Sequence, residues 1–271
     1  MKFDGRVAVI TGAGSGIGRG IALACSRRGC SVAIADVNED GLRETAGMIR
    51  GVQVTTHRLD VTDRAACLAL PGKVVEEHGR VDLLFNNAGV AIGGTFEQVD
   101  EADFDWLMEV NFHAVVRLTR AFLPQLKTRD QARIVNVSSL FGLIAPPGQT
   151  AYSAAKFAVR GFSESLRKEL ELAGSPVGVT VVHPGGINTS IAKNARGPRH
   201  VTNEEAAEID ARRGDFQKFL KMSPVKAGEI IVEAVEGGKP RVLVGNDAKF
   251  ASLIERIAPV GYWKFLGRGM S

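Results

Sequence analysis

Tyr152 and Lys156 stand four residues apart in the stretch VSSLFGLIAPPGQTAYSAAK, which also carries Ser138 and Ser139. On a helix the i and i+4 side chains share a face, so this spacing places an ammonium beside a phenol. A positive charge there favours the phenolate and pulls a pKa that is normally about 10 toward neutrality, where a general acid/base operates. The same pair is also ordinary on a solvated helix surface. Whether it does chemistry depends on what the rest of the chain builds around it.

The chain builds a regular scaffold. Short β-branched runs at 6–11, 31–36, 52–60, 81–86, 133–139, 177–184 and 240–245 alternate with amphipathic stretches at 17–28, 39–50, 63–78, 101–127, 151–173 and 224–236. Strands that read as nearly continuous apolar runs are buried on both faces, which predicts a parallel sheet covered by helices on each side. The fold class is therefore α/β, a doubly wound sheet of six or seven βα units.

The first strand runs straight into Thr11-Gly12-Ala13-Gly14-Ser15-Gly16-Ile17-Gly18 and then into a helix. Glycines at such a place permit a tight turn, close approach of the backbone to a pyrophosphate and packing of helix on strand, while the helix N-terminus offers N–H groups to the anion. In strand–turn–helix context this points to a dinucleotide and a Rossmann-type sheet. Asp36 closes the second strand, where an acidic residue receives the hydroxyls of the adenosine ribose. A carboxylate repels a 2′-phosphate and Val37 and Ser15 offer it no charge, so NAD is expected over NADP; Arg19 is the one cation near enough to oppose that reading. Asp60, followed by Val61 at the end of the third strand, either accepts from an adenine amino group or caps the helix that begins near Asp63. Asn86-Asn87-Ala88-Gly89 ends the fourth strand, where two amides can brace neighbouring strands and Ala88-Gly89 leave room for a ribose.

With these residues together the chain resembles a short-chain dehydrogenase/reductase over about residues 4 to 245. Thr11-Gly-x-x-x-Gly-x-Gly, Asp60, Asn86-Asn87-Ala88-Gly89, Asn111, Ser139, Tyr152-x-x-x-Lys156 and Pro184-Gly185 follow that family's order and approximate spacing. VSSLFGLIAPPGQTAYSAAKFAVRGF and VHPGGINTSIA are also similar to actinobacterial, especially mycobacterial, members that act on lipid-like or other bulky alcohols. The resemblance implies a catalytic set of Asn111, Ser139, Tyr152 and Lys156. Tyr152 would be the general acid/base, and Ser139 rather than Ser138 would bond the substrate oxygen. Lys156 would lower the Tyr152 pKa and hold the nicotinamide ribose, while Asn111 would connect Lys156 to solvent through water. Pro184, Gly185, Ile187 and Thr189 would line the nicotinamide; Gly186 and Asn188 fill positions the family lets vary. The implied activity is NAD(H)-dependent interconversion of a secondary or bulky primary alcohol and its carbonyl compound. A non-catalytic dinucleotide-binding redox sensor or scaffold is the reading of a different class, and the intact Ser139, Tyr152 and Lys156 argue against it.

Composition bounds the rest. With 271 residues, 45% of them hydrophobic and 24% charged, the chain can bury a full core, and residues 1–271 read as one dinucleotide-binding domain without a linker or repeat. The net charge of +4 is spread among acids without an Arg-rich run, which excludes nucleic acid as an expected partner. Cys25, Cys30 and Cys67 lack C-x-x-C spacing and read as reduced, packed thiols. The five histidines, His183 among them, lack ligand spacing, and no metal is expected. No run approaches the roughly 20 apolar residues needed to span a bilayer, and no signal peptide is evident, so the expected location is cytoplasmic.

Two segments depart from the strand–helix rhythm. An insertion at about 188–223 is expected to form a lid, with Lys193, Arg196, Arg199, Arg212 and Arg213 reading as a solvated face beside Glu204, Glu205 and Asp210. Leu140, Phe141, Leu143, Ile144, Val90 and Ile92 are the apolar candidates for a hydrophobic substrate pocket. The tail at about 246–271 carries Phe250, Leu253, Ile254 and Ile257 at helical spacing, then an aromatic and basic end. It is expected to pack on a neighbouring subunit of a homodimer or homotetramer, with contact to a membrane surface as the alternative.

Overall fold

A computed structural model describes residues 1–191, 194–198, 202, 214 and 220–267. Among these, seven strands form one sheet in the order β3-β2-β1-β4-β5-β6-β7, every neighbouring pair parallel. They are β1 (Val7–Thr11), β2 (Ser31–Asp36), β3 (Val54–Arg58), β4 (Leu83–Asn86), β5 (Ala132–Val137), β6 (Val177–Pro184) and β7 (Arg241–Val244). The helices are α1 (Gly16–Ser26), α2 (Glu39–Met48), α3 (Arg64–His78), α4 (Glu101–Met108), α5 (Ala114–Lys127), α6 (Thr150–Leu172), α7 (Pro224–Glu236), α8 (Asn246–Ile257) and the short α9 (Trp263–Leu266).

The period of two along each strand sorts its side chains into two cores. On one face Ala8 and Ile10 of β1 pack with Ile21 of α1, Leu42 of α2 and Ile231 of α7. On the other, Val7 and Val9 pack with Leu70 of α3 and Leu118 and Phe122 of α5. Every residue of β1 is buried, as an apolar strand covered on both faces requires. Helices α1 and α7 approach backbone to backbone: a Cβ on Gly20 would lie 2.2 Å from the Pro224 carbonyl oxygen, and one on Gly228 would lie 2.2 Å from the Gly20 carbonyl carbon.

Strand order reverses between β1 and β4, and in open parallel sheets a crevice for ligands opens at the carboxyl ends of the strands at that point. The expected helix over 101–127 is interrupted. Glu109–His113 form a single π-helical turn between α4 and α5, a widening of the helix that often sits at functional sites. It holds Asn111, which is fully buried.

Candidate active site

The glycine turn after β1 has the shape of a cradle. Gly12 has φ +66°, and a Cβ there would come within 2.8 Å of the Ala88 Cα; a Cβ on Gly18 would lie 2.1 Å from the Gly12 carbonyl oxygen. Only a glycine backbone lets β1 turn into α1 this close to β4. Ser15 precedes α1 in an extended conformation with its side chain making no cap, and the first turn carries no acid. The α1 N–H groups thus carry no side-chain cap and could receive an anion, whereas Asn38, Asp63 and Ser223 cap α2, α3 and α7 with their side chains. Thr189 faces the start of α1: its Cγ2 lies 3.3 Å from where a Cβ of Gly16 would stand. Ile17 follows in the first turn of α1, packed against the core.

Asp36 ends β2 with its Oδ2 accepting from the Gly14 N–H at 2.9 Å and its Oδ1 from the Asn38 N–H at 3.0 Å. The carboxylate is thereby fixed against the glycine turn with lone pairs to spare, and Val37 beside it is exposed. Arg19 is tied down. Its guanidinium donates to the Gly14 carbonyl at 2.5 Å, to Thr45 Oγ1 at 2.9 Å and to Glu44 Oε2 at 2.8 Å. Asp60 does not cap α3, a role taken by Asp63, which accepts from the Ala66 N–H; it instead accepts from Thr62 N–H and Oγ1. Val61 is buried beside it, and its carbonyl receives Arg117.

The two amides after β4 brace different things. Asn87 donates to the Thr11 and Gly12 carbonyls at 2.9 and 3.2 Å, so it clamps β4 to the glycine turn. Asn86 reaches sideways to Thr119 and Asn136 inside the core. Thr11 Oγ1 accepts from the backbone N–H of both Asn87 and Ala88 at 3.1 Å. Its role is visible only once β1 and β4 are side by side.

Across the crevice, α6 carries Tyr152 and Lys156 on one face, with the Lys156 Nζ 5.6 Å from the Tyr152 ring centroid. Lys156 is buried, donates to the Val137 carbonyl at 3.1 Å, and burial lowers its pKa to about 8. Gly89 stands between it and Asn111: a Cβ there would be 3.1 Å from Asn111 Oδ1 and 3.5 Å from Lys156 Nζ. Asn111 is locked by a reciprocal pair of bonds, accepting from the Val90 N–H at 2.9 Å and donating to the Val90 carbonyl at 2.8 Å.

Ser139 leads into a 3-10 turn, Leu140–Gly142, and its Oγ accepts from the Phe141 N–H at 3.1 Å. Burial pushes the Tyr152 phenol above its ordinary pKa, and the Ser139 hydroxyl bond pulls it part of the way back. In the chain alone burial therefore outweighs the lowering that the Tyr-x-x-x-Lys spacing suggests. Ser138 faces away, donating to the Lys156 carbonyl at 2.8 Å. His183 lies under the Ser139 turn, and its Nδ1–H donates to the Ser139 carbonyl at 2.9 Å. Pro184 ends β6; Gly185 and Ile187 follow, with Gly185 N–H donating to the Val244 carbonyl at 2.9 Å and Ile187 buried.

Residues 6–199 match the family described as short chain dehydrogenase. The chain belongs to that family. It is 45% identical to SadH of Mycobacterium tuberculosis over 272 residues, covering 100% of this chain and 97% of the relative. It is 35% identical over 234 residues to the 3-oxoacyl-[acyl-carrier-protein] reductase FabG of Thermotoga maritima, covering 86% of this chain and 91% of that protein. Among solved structures, a short chain dehydrogenase/reductase from Burkholderia phymatum in complex with NAD superposes with a TM-score of 0.87 at 32% identity, covering 96% of this chain and 95% of that one. The chain is thus an oxidoreductase of the short-chain dehydrogenase/reductase family with a Rossmann-type fold.

The substrate side of this short chain dehydrogenase departs from the sequence reading. Leu143, Ile144 and Ile92 are buried in packing, which leaves Leu140, Phe141 and Val90 as half-exposed apolar neighbours of the crevice. Phe141 meets the Tyr152 ring edge-on at 6.1 Å. Within the insertion, Arg196 is exposed but engaged: its guanidinium stacks on Trp106 at 3.4 Å and pairs with buried Asp103 at 2.9 Å. Its backbone bonds to Ala91 and Gly93, so Arg196 pairs with the loop that follows β4 at Ile92. Lys193, Arg199, Arg212, Arg213, Glu204, Glu205 and Asp210 lie outside the described residues. The tail folds back on its own chain, burying Ala248, Ala251 and Ser252 of α8, while Phe250, Leu253 and Ile257 stay exposed. No helix among the described residues is long and apolar enough to cross a membrane.

Proposed function

We propose that the protein interconverts a secondary or bulky primary alcohol and its carbonyl compound with NAD(H) as the hydride partner and Tyr152 as the general acid/base. The observation that carries this reading is the convergence of Tyr152, Ser139 and buried Lys156 at the mouth of the crevice opposite the glycine cradle. When bound, the nicotinamide gives or takes the hydride.

The chain's own residues then do the following. Gly12, Gly16 and Gly18 bring backbone N–H groups against the pyrophosphate, with Thr189 opposite. Asp36 receives ribose hydroxyls, and its fixed negative charge, with Arg19 already held by Glu44, supports NAD over NADP. Asp60 and Val61 border the adenine, and Asn87, Ala88 and Gly89 border its ribose. Lys156 reaches the second ribose and supplies positive charge beside the phenol. Ser139 donates to the substrate oxygen, and in the oxidative direction Tyr152 oxygen takes the alcohol proton. Positioning and a tuned proton are what the protein adds. Leu140, Phe141 and Val90 favour an apolar substrate.

The test is turnover, followed as reduced-nicotinamide absorbance, of cyclohexanol, menthol and their ketones with NAD(H) and NADP(H). Turnover with NAD(H) that vanishes in Tyr152→Phe supports the reading. A chain that binds NADH but turns over none of these compounds supports a sensor or scaffold.

A further inference from the structure

We propose that the C-terminal segment is an intramolecular brace, in which Asp247 and Tyr262 are positioning residues that fix the two opposite walls of the active site. One wall is the loop Pro184–Ile187 and the other the loop Ser139–Gly148. The inference rests on the oxidoreductase reading of that site.

The first anchor lies directly after β7. The Val244 carbonyl receives the Gly185 N–H at 2.9 Å, and three residues later Asp247 Oδ2 accepts from the Gly186 N–H at 2.5 Å. Carboxylate and loop are fitted to each other, since a Cβ on Gly185 would stand 2.1 Å from Asp247 Oδ2. Gly245, at φ +106°, supplies the backbone turn that brings Asp247 there. A bond to an ionised acceptor is about twice as strong as one between neutral groups.

The second anchor comes after α8, which packs its inner face beside the 3-10 turn at Leu140–Gly142. The chain then doubles back, and Tyr262 Oη accepts from the Ala145 N–H at 3.0 Å. Pro146 and Pro147 have no N–H, so Ala145 is the last donor of this loop before Gly148. Ala145 itself is exposed, between buried Ile144 and Pro146. Ser139, at the other end of the same loop, is fixed by His183. The substrate-side wall is thus tied to distant parts of the chain at three places, Ser139 to His183, Gly148 to the Gly94 N–H at 3.2 Å, and Ala145 to the tail.

The tail lies beyond residues 6–199, the part that matches the family. A segment that touches the nicotinamide-side loop with one residue and the substrate-side loop with another sets the width between them. It is a place where substrate size is selected without any tail residue touching the reacting atoms.

The test uses the full-length chain and the variants Tyr262→Phe, Asp247→Ala and Asp247→Asn. Readouts are amide hydrogen exchange at Ala145 and Gly186, NADH affinity by fluorescence, and kcat and KM for cyclohexanol and menthol. Losing one neutral hydrogen bond, Tyr262→Phe should speed Ala145 exchange and raise KM about fivefold, with kcat and NADH affinity within about twofold of the wild type. Asp247→Ala should speed Gly186 exchange and weaken NADH about tenfold or more, while Asp247→Asn, which keeps an acceptor oxygen, recovers most of that loss. Unchanged Ala145 exchange and KM in Tyr262→Phe would overturn the proposal, as would equal losses of every quantity in all three variants together with lower unfolding midpoints. If the wild type turns over neither alcohol, the proposed function fails, while the exchange rates at the two amides still decide for or against the brace.

Discussion

The cofactor side and the substrate side of the crevice are built by opposite means. On the cofactor side, backbone shape does the work. Gly12 and Gly18 sit where a Cβ would strike backbone atoms, and Asp36, Asn87 and Thr11 are each held by two hydrogen bonds or more. On the substrate side, side chains and distant tethers do it. Lys156 is buried with Val137 as acceptor, Ser139 is tied to His183, and the loop beyond it to Tyr262 and Gly94. A surface moulded by backbone recognises one invariant ligand. A surface held by tethers can change its ligand by changing a few residues, which is how one fold accommodates many substrates.

The most severe way to break this division is at the proposed chemical centre. Tyr152→Phe keeps the ring that meets Phe141 edge-on and removes only the transferable proton. Turnover should fall by about a thousandfold, within the range that general acid/base catalysis contributes. NADH affinity should stay within about twofold, because the cradle is a separate construction. Both are measured on one preparation, and a joint loss would mean that the two sides are not independent.

The same division governs what could be read from the amino-acid sequence. The inner strands were legible because burial on both faces leaves near-continuous apolar runs, the edge strands β3 and β7 only from their β-branched residues, and the glycine turn because few other residues tolerate its geometry. Asn87 and Asp36 were legible from their places at strand ends. The π turn was not: Glu109–His113 continue the pattern of 101–127, and the bonds its Asn111 makes to the Val90 backbone come from a residue twenty-one positions away. Leu143, Ile144 and Ile92 looked like pocket residues because an apolar side chain carries no mark that separates core from cavity. Arg196 is exposed, but its pairing was not legible because its partners Trp106 and Asp103 lie some ninety residues away. Tyr262 and Asp247 act on backbone N–H groups, which leave no trace in the identity of the residue bound.

His183 gives the next largest effect. Its buried imidazole has a pKa lowered to about 4, chiefly by burial, with Arg241 and Arg160 adding to the shift and the Ser139 carbonyl opposing it. The unfolded chain binds a proton below about 6.5 that the folded chain refuses until about 4, so stability falls as the pH falls through that window. The loss should total about 3 kcal/mol and level off below it. His183→Asn keeps a donor for Ser139 and removes the titration, so denaturant unfolding between these pH values should show a visibly flatter dependence in the variant. His57 and His78, also lowered by burial, leave a residual slope of the same sign.

A smaller loss is expected from a single methyl on the cofactor side. In Gly18→Ala the new Cβ would meet the Gly12 carbonyl oxygen at 2.1 Å, a backbone atom that cannot swing away. Overpacking of this kind costs about 1–3 kcal/mol. Because the strain falls on the turn itself, NADH binding should weaken by more than the stability loss alone explains. Fluorescence titration beside a denaturant melt separates the two quantities, and a variant that binds NADH normally would show that the cradle has more slack than its contacts imply.

The smallest effect concerns which dinucleotide the cradle prefers. Asp36 is fixed by Gly14 and Asn38, so its charge cannot move away from a 2′-phosphate, and Arg19, engaged by Gly14, Thr45 and Glu44, cannot come forward to neutralise one. NAD should therefore bind at least about tenfold more tightly than NADP, equivalent to roughly 1.4 kcal/mol. Asp36→Ala with Val37→Arg exchanges an anion for a cation at an exposed position beside the ribose and should reverse the preference. Because Asp36 also holds the Gly14 N–H, some loss of affinity for both cofactors should accompany the reversal, and the ratio of the two dissociation constants is the quantity that reports on charge. Equal use of NADP by the wild type would mean that Arg19 leaves Glu44 when the phosphate arrives. Glu44→Gln should then raise NADP affinity further, whereas a firmly held Arg19 predicts no change.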